Sequence, residues 1–100
     1  MPVNPLNATV RALLAHPKDN VATLMDRAQL GDDVAITDSE HLSFGTIRLK
    51  DSIEAFHKVS VHVIPSGEHV IKFGESIGVS SQLIPQGSHV HVHNVMSDRL

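Results

Sequence analysis

An internal repeat in the second half of the chain constrains the fold more than any other feature of the sequence. Residues 62–70 read HVIPSGEHV and residues 82–90 read QLIPQGSHV, so that Ile, Pro, Gly, His and Val recur in register. Pro-x-Gly is a turn signal, because proline fixes φ and glycine accepts a positive φ. Each copy therefore predicts strand, turn, strand, and two copies are too few for a solenoid.

Short apolar runs between turn residues predict further strands in the first half. Residues 10–14 and 34–36 suit short strands, and residues 47–50 alternate apolar and charged side chains, whereas residues 37–45 are interpreted as an exposed loop. Residues 21–28 allow either a strand or a short helix capped by Asp19 or Asn20. These patterns predict a flexible arm over residues 1–9, one β domain over residues 10–96 and a tail over residues 97–100.

Composition limits both the core and the partners. The 100 residues include three Phe and no Tyr or Trp, which predicts a core of Val, Ile and Leu and suits a sheet. The net charge is -3 without any basic run, and the few aromatic residues offer no stacking platform for bases. We therefore expect no nucleic-acid partner.

The absence of cysteine and of long apolar runs narrows the class of protein. With no Cys in the sequence, disulfides, thiolate zinc sites and a cysteine nucleophile are excluded. No apolar run approaches the roughly 20 residues of a membrane span, and the first residues lack the features of a signal peptide. We therefore expect a cytoplasmic protein without a membrane partner.

Residues 89–94, with the sequence HVHVHN, are the strongest candidates for function. In a strand the three histidines would share one face, because side chains alternate between faces. His91 and His93 could then ligate one metal ion, with His57, His16 or a carboxylate from a partner chain as the third ligand. The same imidazoles also suit acid/base chemistry, and an exposed polar strand face without any site is the remaining alternative.

The other candidate residues allow a structural interpretation beside the functional one. His57 and Lys58 would attract an anionic substrate, or form part of a solvated turn. His69 matches His89 by its position in the repeat and is interpreted as flanking a turn. His16, His41 and His62 are interpreted as surface or structural residues.

Three groups of residues resemble the SAF domain found in the altronate and galactarate dehydratase family. They are HKV at 57–59, IPSGEHVIKFGESIG at 64–78 and the closing GSHVHVHN at 87–94. The segment DNVA at 19–22 is similar to an early motif of that family. The resemblance covers roughly residues 16–94, and the closing motif is its most specific part.

The resemblance implies a mainly β, SAF-type β-clip fold with short strands, a bent hairpin and one short helical element. It also implies a hydroxy-acid lyase in which a larger catalytic subunit or domain removes water from a sugar acid such as altronate or galactarate. That reaction uses a divalent metal, often iron. The related (2R)-sulfolactate sulfo-lyase, which eliminates sulfite from another 2-hydroxy acid, also has separate small subunits.

From the resemblance and the histidine row we predict a small SAF-domain subunit that completes the active site of a larger lyase chain and is inactive alone. The predicted catalytic residues are His91 and His93, which are also the candidate metal ligands. The predicted substrate-binding residues are His57, Lys58 and Asn94. The alternatives are a sulfolactate sulfo-lyase subunit, an assembly module and a sugar-acid-binding module, and exposed β edges also suit a homo-oligomer.

Overall fold

A computed structural model describes residues 10–40 and 42–97 of the chain, which form short strands joined by tight turns. Its strands are β1 (Val10–Leu13), β2 (Val21–Leu24), β3 (Asp33–Thr37), β4 (Ser43–Arg48), β5 (Lys58–Ser60), β6 (His69–Lys72), β7 (Glu75–Ser80), β8 (His89–Val90) and β9 (Val95–Met96). The predicted mainly β fold is confirmed. The predicted arm, residues 1–9, lies outside the described residues, as do His41 and residues 98–100 of the predicted tail.

The strands form two sheets, one of six strands in the order β4-β3-β1-β2-β5-β8 and one of three in the order β6-β7-β9. Neighbouring strands are antiparallel, except that β1 and β3 are parallel. In the β6–β7 hairpin the register shifts between Val70 and Ile71. This irregularity corresponds to the bent hairpin that the resemblance implies, because a bulge bends the strand that carries it.

The short helical element expected near residues 21–28 is wrong, because the described residues contain no helix. The segment instead forms β2, which lies between β1 and β5 and pairs with both. Val21 and Thr23 are β-branched and favour a strand, and a short helix would have to meet a high nucleation cost. Correspondingly, no helix in this part of the chain is long and apolar enough to span a membrane.

Aliphatic side chains fill the interior, as the composition predicts. The larger hydrophobic cluster packs among β1–β5, and a smaller one joins the two sheets through Val21, Ile64, Val70, Ile84 and Val90. All three phenylalanines are exposed, from 58% to 72% of their surface. The core therefore depends on closely spaced β-branched residues rather than on large rings.

The two copies of the repeat pack against each other through equivalent hydrogen bonds. The backbone N–H of Ile64 donates to the carbonyl of Ile84, and the N–H of Ile84 donates to the carbonyl of Ile64, both at 2.8 Å. The buried hydroxyls of Ser60 and Ser80 each donate to the proline carbonyl in the opposite copy's turn. The repeat is thus a pair of interlocked turns, and it fixes where β8 and the following histidines lie.

The predicted exposed loop over residues 37–45 is too long. β3 extends to Thr37 and β4 begins at Ser43, although a register shift between Ala35 and Thr37 interrupts their pairing. β4 is an edge strand, and only Ile47 among its residues is buried. Backbone pairing with β3 therefore makes it a strand without the alternating burial by which a sequence pattern would identify it.

Candidate functional site

The pairing of β5 with β8 brings three histidines together. The two strands are antiparallel, with Lys58 opposite Val90. His57 immediately precedes β5, so it lies next to the chain that leaves β8, and His89 begins that strand. The structure thus gathers His57, His89 and His91, which we call the imidazole cluster.

The predicted strand over residues 89–93 is wrong beyond Val90, where β8 ends and a turn over residues 91–94 begins. Asn94 causes this change. Its side-chain Oδ1 accepts a hydrogen bond from the backbone N–H of His91 at 2.9 Å, and its Nδ2 donates to the carbonyl of His89 at 2.8 Å. Because a side-chain amide competes with the strand ladder in this way, a turn rather than a straight strand gathers the histidines.

The rings of the imidazole cluster are in direct contact. Nδ1 of His57 lies 2.9 Å from Nε2 of His89, and the ring centres are 5.1 Å apart. The two nitrogens are much closer to each other than the ring centres are, so the rings meet edge to edge. One nitrogen donates its proton to the lone pair of the other. The ring of His91 stacks on that of His57, with centres 4.4 Å apart and planes 19° from parallel.

Among the described residues, His93 lies beside His89 without adding a nitrogen to the imidazole cluster, whereas His16 and His69 have other neighbours. The ring centre of His93 lies 5.2 Å from that of His89, and its plane is tilted by 37°. Among the described residues, the donor atoms that lie within 4.8 Å of one another belong to the imidazole cluster and do not include His93. His16 packs against Gly74, and the Nδ1 of His69 is 2.8 Å from a serine hydroxyl.

Two polar residues hold the backbone of the imidazole cluster in place. Asn94 is only 3% exposed, and both polar atoms of its side chain bond to that backbone. It was predicted to bind substrate, and such a contact would compete with one of these bonds. Asp51, which sequence reasoning did not identify, accepts a hydrogen bond from the backbone N–H of His89 at 2.9 Å. Nothing in its polar surroundings in the sequence signals this role.

The environment of His89 and His91 favours their neutral form. Partial burial lowers the pKa of His89 and the neighbouring imidazoles lower it further, whereas the carboxylate of Asp51 raises it. Desolvation also lowers the pKa of His91, and the neighbouring His57 and Lys58 side chains lower it further. A neutral imidazole offers a lone pair, so both side chains are suited to bind a metal or accept a proton near neutral pH.

An open depression of about 340 Å³ adjoins the imidazole cluster. It is lined by Lys58, Ile77, His91, Val92, Val95, Met96 and Ser97. Partial burial lowers the pKa of the Lys58 ammonium, and the charge of Lys72 lowers it further. The depression thus combines an apolar floor with one ammonium and one imidazole, which suits an anionic group held beside His91.

This arrangement supports three kinds of chemistry. Neutral imidazoles accept or donate protons, and the Lys58 ammonium binds anions. Three imidazole nitrogens within 4.8 Å also form a donor set that suits a borderline divalent metal such as iron. The predicted residues His57, Lys58 and His91 therefore meet at one site, together with His89, which was not among the predicted catalytic residues.

Comparison with known proteins agrees with the sequence motifs. The family model for the altronate/galactarate dehydratase SAF domain matches residues 10–98, which is nearly the whole chain. The match includes every strand described above and the complete imidazole cluster. The similarity to the family therefore extends well beyond the closing motif at residues 87–94.

Individual relatives are lyases in which the matched region is only a part. Altronate dehydratase of Bacillus subtilis (strain 168) is 32% identical over 83% of this chain, and altronate dehydratase of Escherichia coli (strain K12) is 31% identical over the same share. The (2R)-sulfolactate sulfo-lyase subunit alpha of Chromohalobacter salexigens is 45% identical over 51% of the chain. The matches span 16% of each dehydratase and 54% of the sulfo-lyase subunit.

Proposed function

Since the chain belongs to the family of the altronate/galactarate dehydratase SAF domain, we propose that it is the small SAF-domain subunit of a hydroxy-acid lyase. In this proposal it completes the active site of a larger catalytic chain that dehydrates a sugar acid such as altronate or galactarate. The observation that carries the proposal is the imidazole cluster beside Lys58, at the rim of an open depression.

The need for a larger chain follows from the openness of the site and from the relatives. The described residues offer a depression on the surface rather than an enclosed cavity around the imidazole cluster. In the altronate dehydratases the matched region is 16% of the protein, and another relative is named as a subunit. A second chain or domain that covers the depression would exclude water from the imidazoles and supply the remaining groups of an active site.

The roles of the residues follow from the reaction. Elimination beside a carboxylate needs a base for the carbon-bound proton and an acid for the departing hydroxide. We assign proton transfer to His91 and His93, and binding of the substrate carboxylate to Lys58 and His57. Asn94 positions the backbone of the turn. A divalent metal, iron in our expectation, supplies Lewis-acid assistance to the leaving group when it is bound.

A sulfo-lyase subunit is the second candidate, because the sulfo-lyase relative has the highest identity of the three, 45%, over its matched region. The same site would serve, since both reactions are eliminations from a 2-hydroxy acid with an anionic group to bind. A purely structural assembly module and an independent sugar-acid-binding module are the alternatives in which the chain has no part in turnover.

The test is affinity purification of the tagged chain from its native host, with mass spectrometry and assays of what co-purifies. We expect a stoichiometric larger chain, and a complex that dehydrates or desulfonates a 2-hydroxy acid. His91→Ala should then lower kcat by roughly 10²- to 10⁴-fold, the usual contribution of a general acid or base. His69→Ala is the matched control and should leave turnover unchanged.

Two results would contradict the proposal. The chain would be an independent module if it purifies alone and binds sugar acids by itself. It would be an assembly module if the complex forms and His91→Ala turns over as fast as the natural sequence. The substrate panel of the complex separates dehydration from desulfonation.

A further inference from the structure

The imidazole cluster contributes three ring nitrogens, one each from His57, His89 and His91, that lie within 4.8 Å of one another. We propose that this chain binds one divalent transition-metal ion by itself through these three nitrogens. The inference deepens the proposed function, because with the ion bound His57 and His91 act as its ligands, proton transfer falls to His93 and carboxylate binding falls to Lys58. It rests on that function only for the use that an assembled lyase makes of the ion.

The shortest separation between the nitrogens is close to that of two ligands that share an ion. Two nitrogens bonded to one ion at about 2.1 Å are roughly 3.0–3.4 Å apart for bond angles near 90–110° and about 4.2 Å apart when opposite. Nδ1 of His57 and Nε2 of His89 are 2.9 Å apart, and the third nitrogen lies within 4.8 Å of both. The three rings are partly exposed, so they can rotate to aim their lone pairs at one ion without disturbing the core.

The backbone that carries the ligands is held in place without an ion. β5 and β8 fix His57 relative to His89 through their pairing. The Asp51 carboxylate holds the N–H of His89, and the buried Asn94 amide holds the backbone of both His89 and His91. A site whose ligands already lie close together loses little conformational entropy on binding, so the folded chain is suited to capture a metal without its partner.

The repeat provides an internal comparison. β6 and β7 pair in the same register as β8 and β5, and His69 takes the position of His89. The positions twenty residues away from the other two cluster histidines hold Ile71 and Ile77. The strand pairing beside His69 and His89 therefore occurs twice, although β6 continues to Lys72 whereas β8 ends at Val90. Among the described residues, the pairing beside His89 is the one that carries three imidazoles. A metal held by the second copy alone would therefore follow from its side chains and from the turn at residues 91–94, and not from the strand pairing that both copies share.

The donor set selects the class of ion. Imidazole nitrogen suits Zn²⁺, Fe²⁺, Ni²⁺ and Cu²⁺, whereas Mg²⁺ and Ca²⁺ prefer oxygen ligands. Three imidazoles leave coordination positions open, as in catalytic rather than structural metal sites. Lys58 lines the depression beside His91, and its positive charge favours an ion that carries an anionic ligand, such as a hydroxide or a carboxylate, in an open position.

The test uses the full 100-residue chain without a partner, titrated with Co²⁺ and followed by calorimetry and visible absorption. We expect one Co²⁺ per chain, tighter binding of Ni²⁺ than of Co²⁺ and no competition from Mg²⁺. His57→Ala, His89→Ala and His91→Ala should each weaken binding by more than the roughly 10- to 100-fold that loss of a ligand's hydrogen-bond partner costs. His69→Ala, the equivalent change in the other copy, should bind Co²⁺ like the natural sequence.

A measurement on the natural sequence tests the metal ligands without depending on variants that could unfold. In ¹⁵N spectra of the imidazole rings, Zn²⁺ should shift nitrogens of the three cluster histidines and leave those of His69 unchanged. Absence of Co²⁺ binding by the folded chain overturns the inference, as does a site that His93→Ala abolishes and His57→Ala leaves intact. If the chain alone binds no metal, the proposed lyase complex can still form and need His91 for turnover. If that complex does not form, the chain alone can still bind a metal. The experiments therefore test the two proposals separately.

Discussion

The two Pro-x-Gly turns allow the same substitution to be compared at equivalent positions with different surroundings. Gly67 and Gly87 have φ values of +84° and +88°, so alanine at either position is held in a conformation that L-residues avoid. That strain costs about 1–2 kcal/mol at each position. Around Gly67 an added Cβ meets no atom within 4 Å, whereas at Gly87 it would press on the carbonyl oxygen of Arg48, well inside 3.0 Å.

The two variants should differ in unfolding free energy because alanine at position 87 disrupts backbone hydrogen bonds. Its N–H donates to the carbonyl of Ser60 and its carbonyl accepts from the N–H of Lys50, both at 2.9 Å. Relief of the clash moves this backbone and disrupts at least one of these hydrogen bonds, at about 1–3 kcal/mol each. We therefore expect Gly67→Ala to cost about 1–2 kcal/mol and Gly87→Ala about 2–5 kcal/mol, out of the roughly 5–15 kcal/mol of a typical domain.

Urea denaturation followed by far-ultraviolet circular dichroism measures both variants against the natural sequence. A change in the midpoint with an unchanged slope identifies a loss of stability in the folded state. Equal losses at the two positions, or a larger loss at Gly67, would refute the reasoning, because backbone strain alone is the same at both. The control is Gly31→Ala, at φ +91° with nothing within 4 Å, which should behave like Gly67→Ala.

Three further predictions concern the titrating and buried polar groups. The pKa of His89 and that of His91 are lowered in the folded state. The unfolded chain therefore binds more protons, and the unfolding free energy should fall as the pH drops below about 6.5. Urea midpoints at pH 7.5 and 5.5 measure this fall, which should be smaller when His89 and His91 are both replaced by alanine. Asn94→Ala removes two hydrogen bonds to buried backbone and should cost roughly 2–4 kcal/mol, whereas an unchanged melting temperature would contradict its positioning role. Asp19 is 2% exposed and its carboxylate accepts two backbone N–H groups at the β6–β7 turn, so Asp19→Ala should cost about 2–4 kcal/mol and Asp19→Asn less, as thermal unfolding would measure.

The sequence allowed the β character of the fold and the turns of the repeat to be predicted, because both depend on local chemistry. Proline and glycine at fixed spacing specify a turn, and an aliphatic, aromatic-poor composition favours a sheet. The interlocking of the two copies was not predictable, because the hydroxyls of Ser60 and Ser80 bond across 25 and 15 residues of chain. Nor was the edge strand β4, whose exposed residues show no periodicity.

The site was predictable in its residue types but not in its geometry. The alternating histidines drew attention to residues 89–94, and His57 was named as one candidate partner of His91, which the structure places beside it. The strand predicted over residues 89–93 is wrong beyond Val90, because the prediction did not anticipate the turn that Asn94 makes. A buried amide that bonds to two backbone groups depends on the surrounding packing, which a sequence pattern does not contain.

The repeat also separates what the fold determines from what the side chains determine. Both copies pair their strands in the same register and both carry a histidine at the same position, His69 and His89. Only the second copy adds an imidazole on each side of that histidine, next to Lys58 and the open depression. The strand pairing is therefore equivalent beside the two histidines, and the neighbouring side chains together with the turn that Asn94 makes distinguish the copy that carries the imidazole cluster. Function in this domain is thus to be sought in the residues around His89, because the fold alone would predict the same function for both copies.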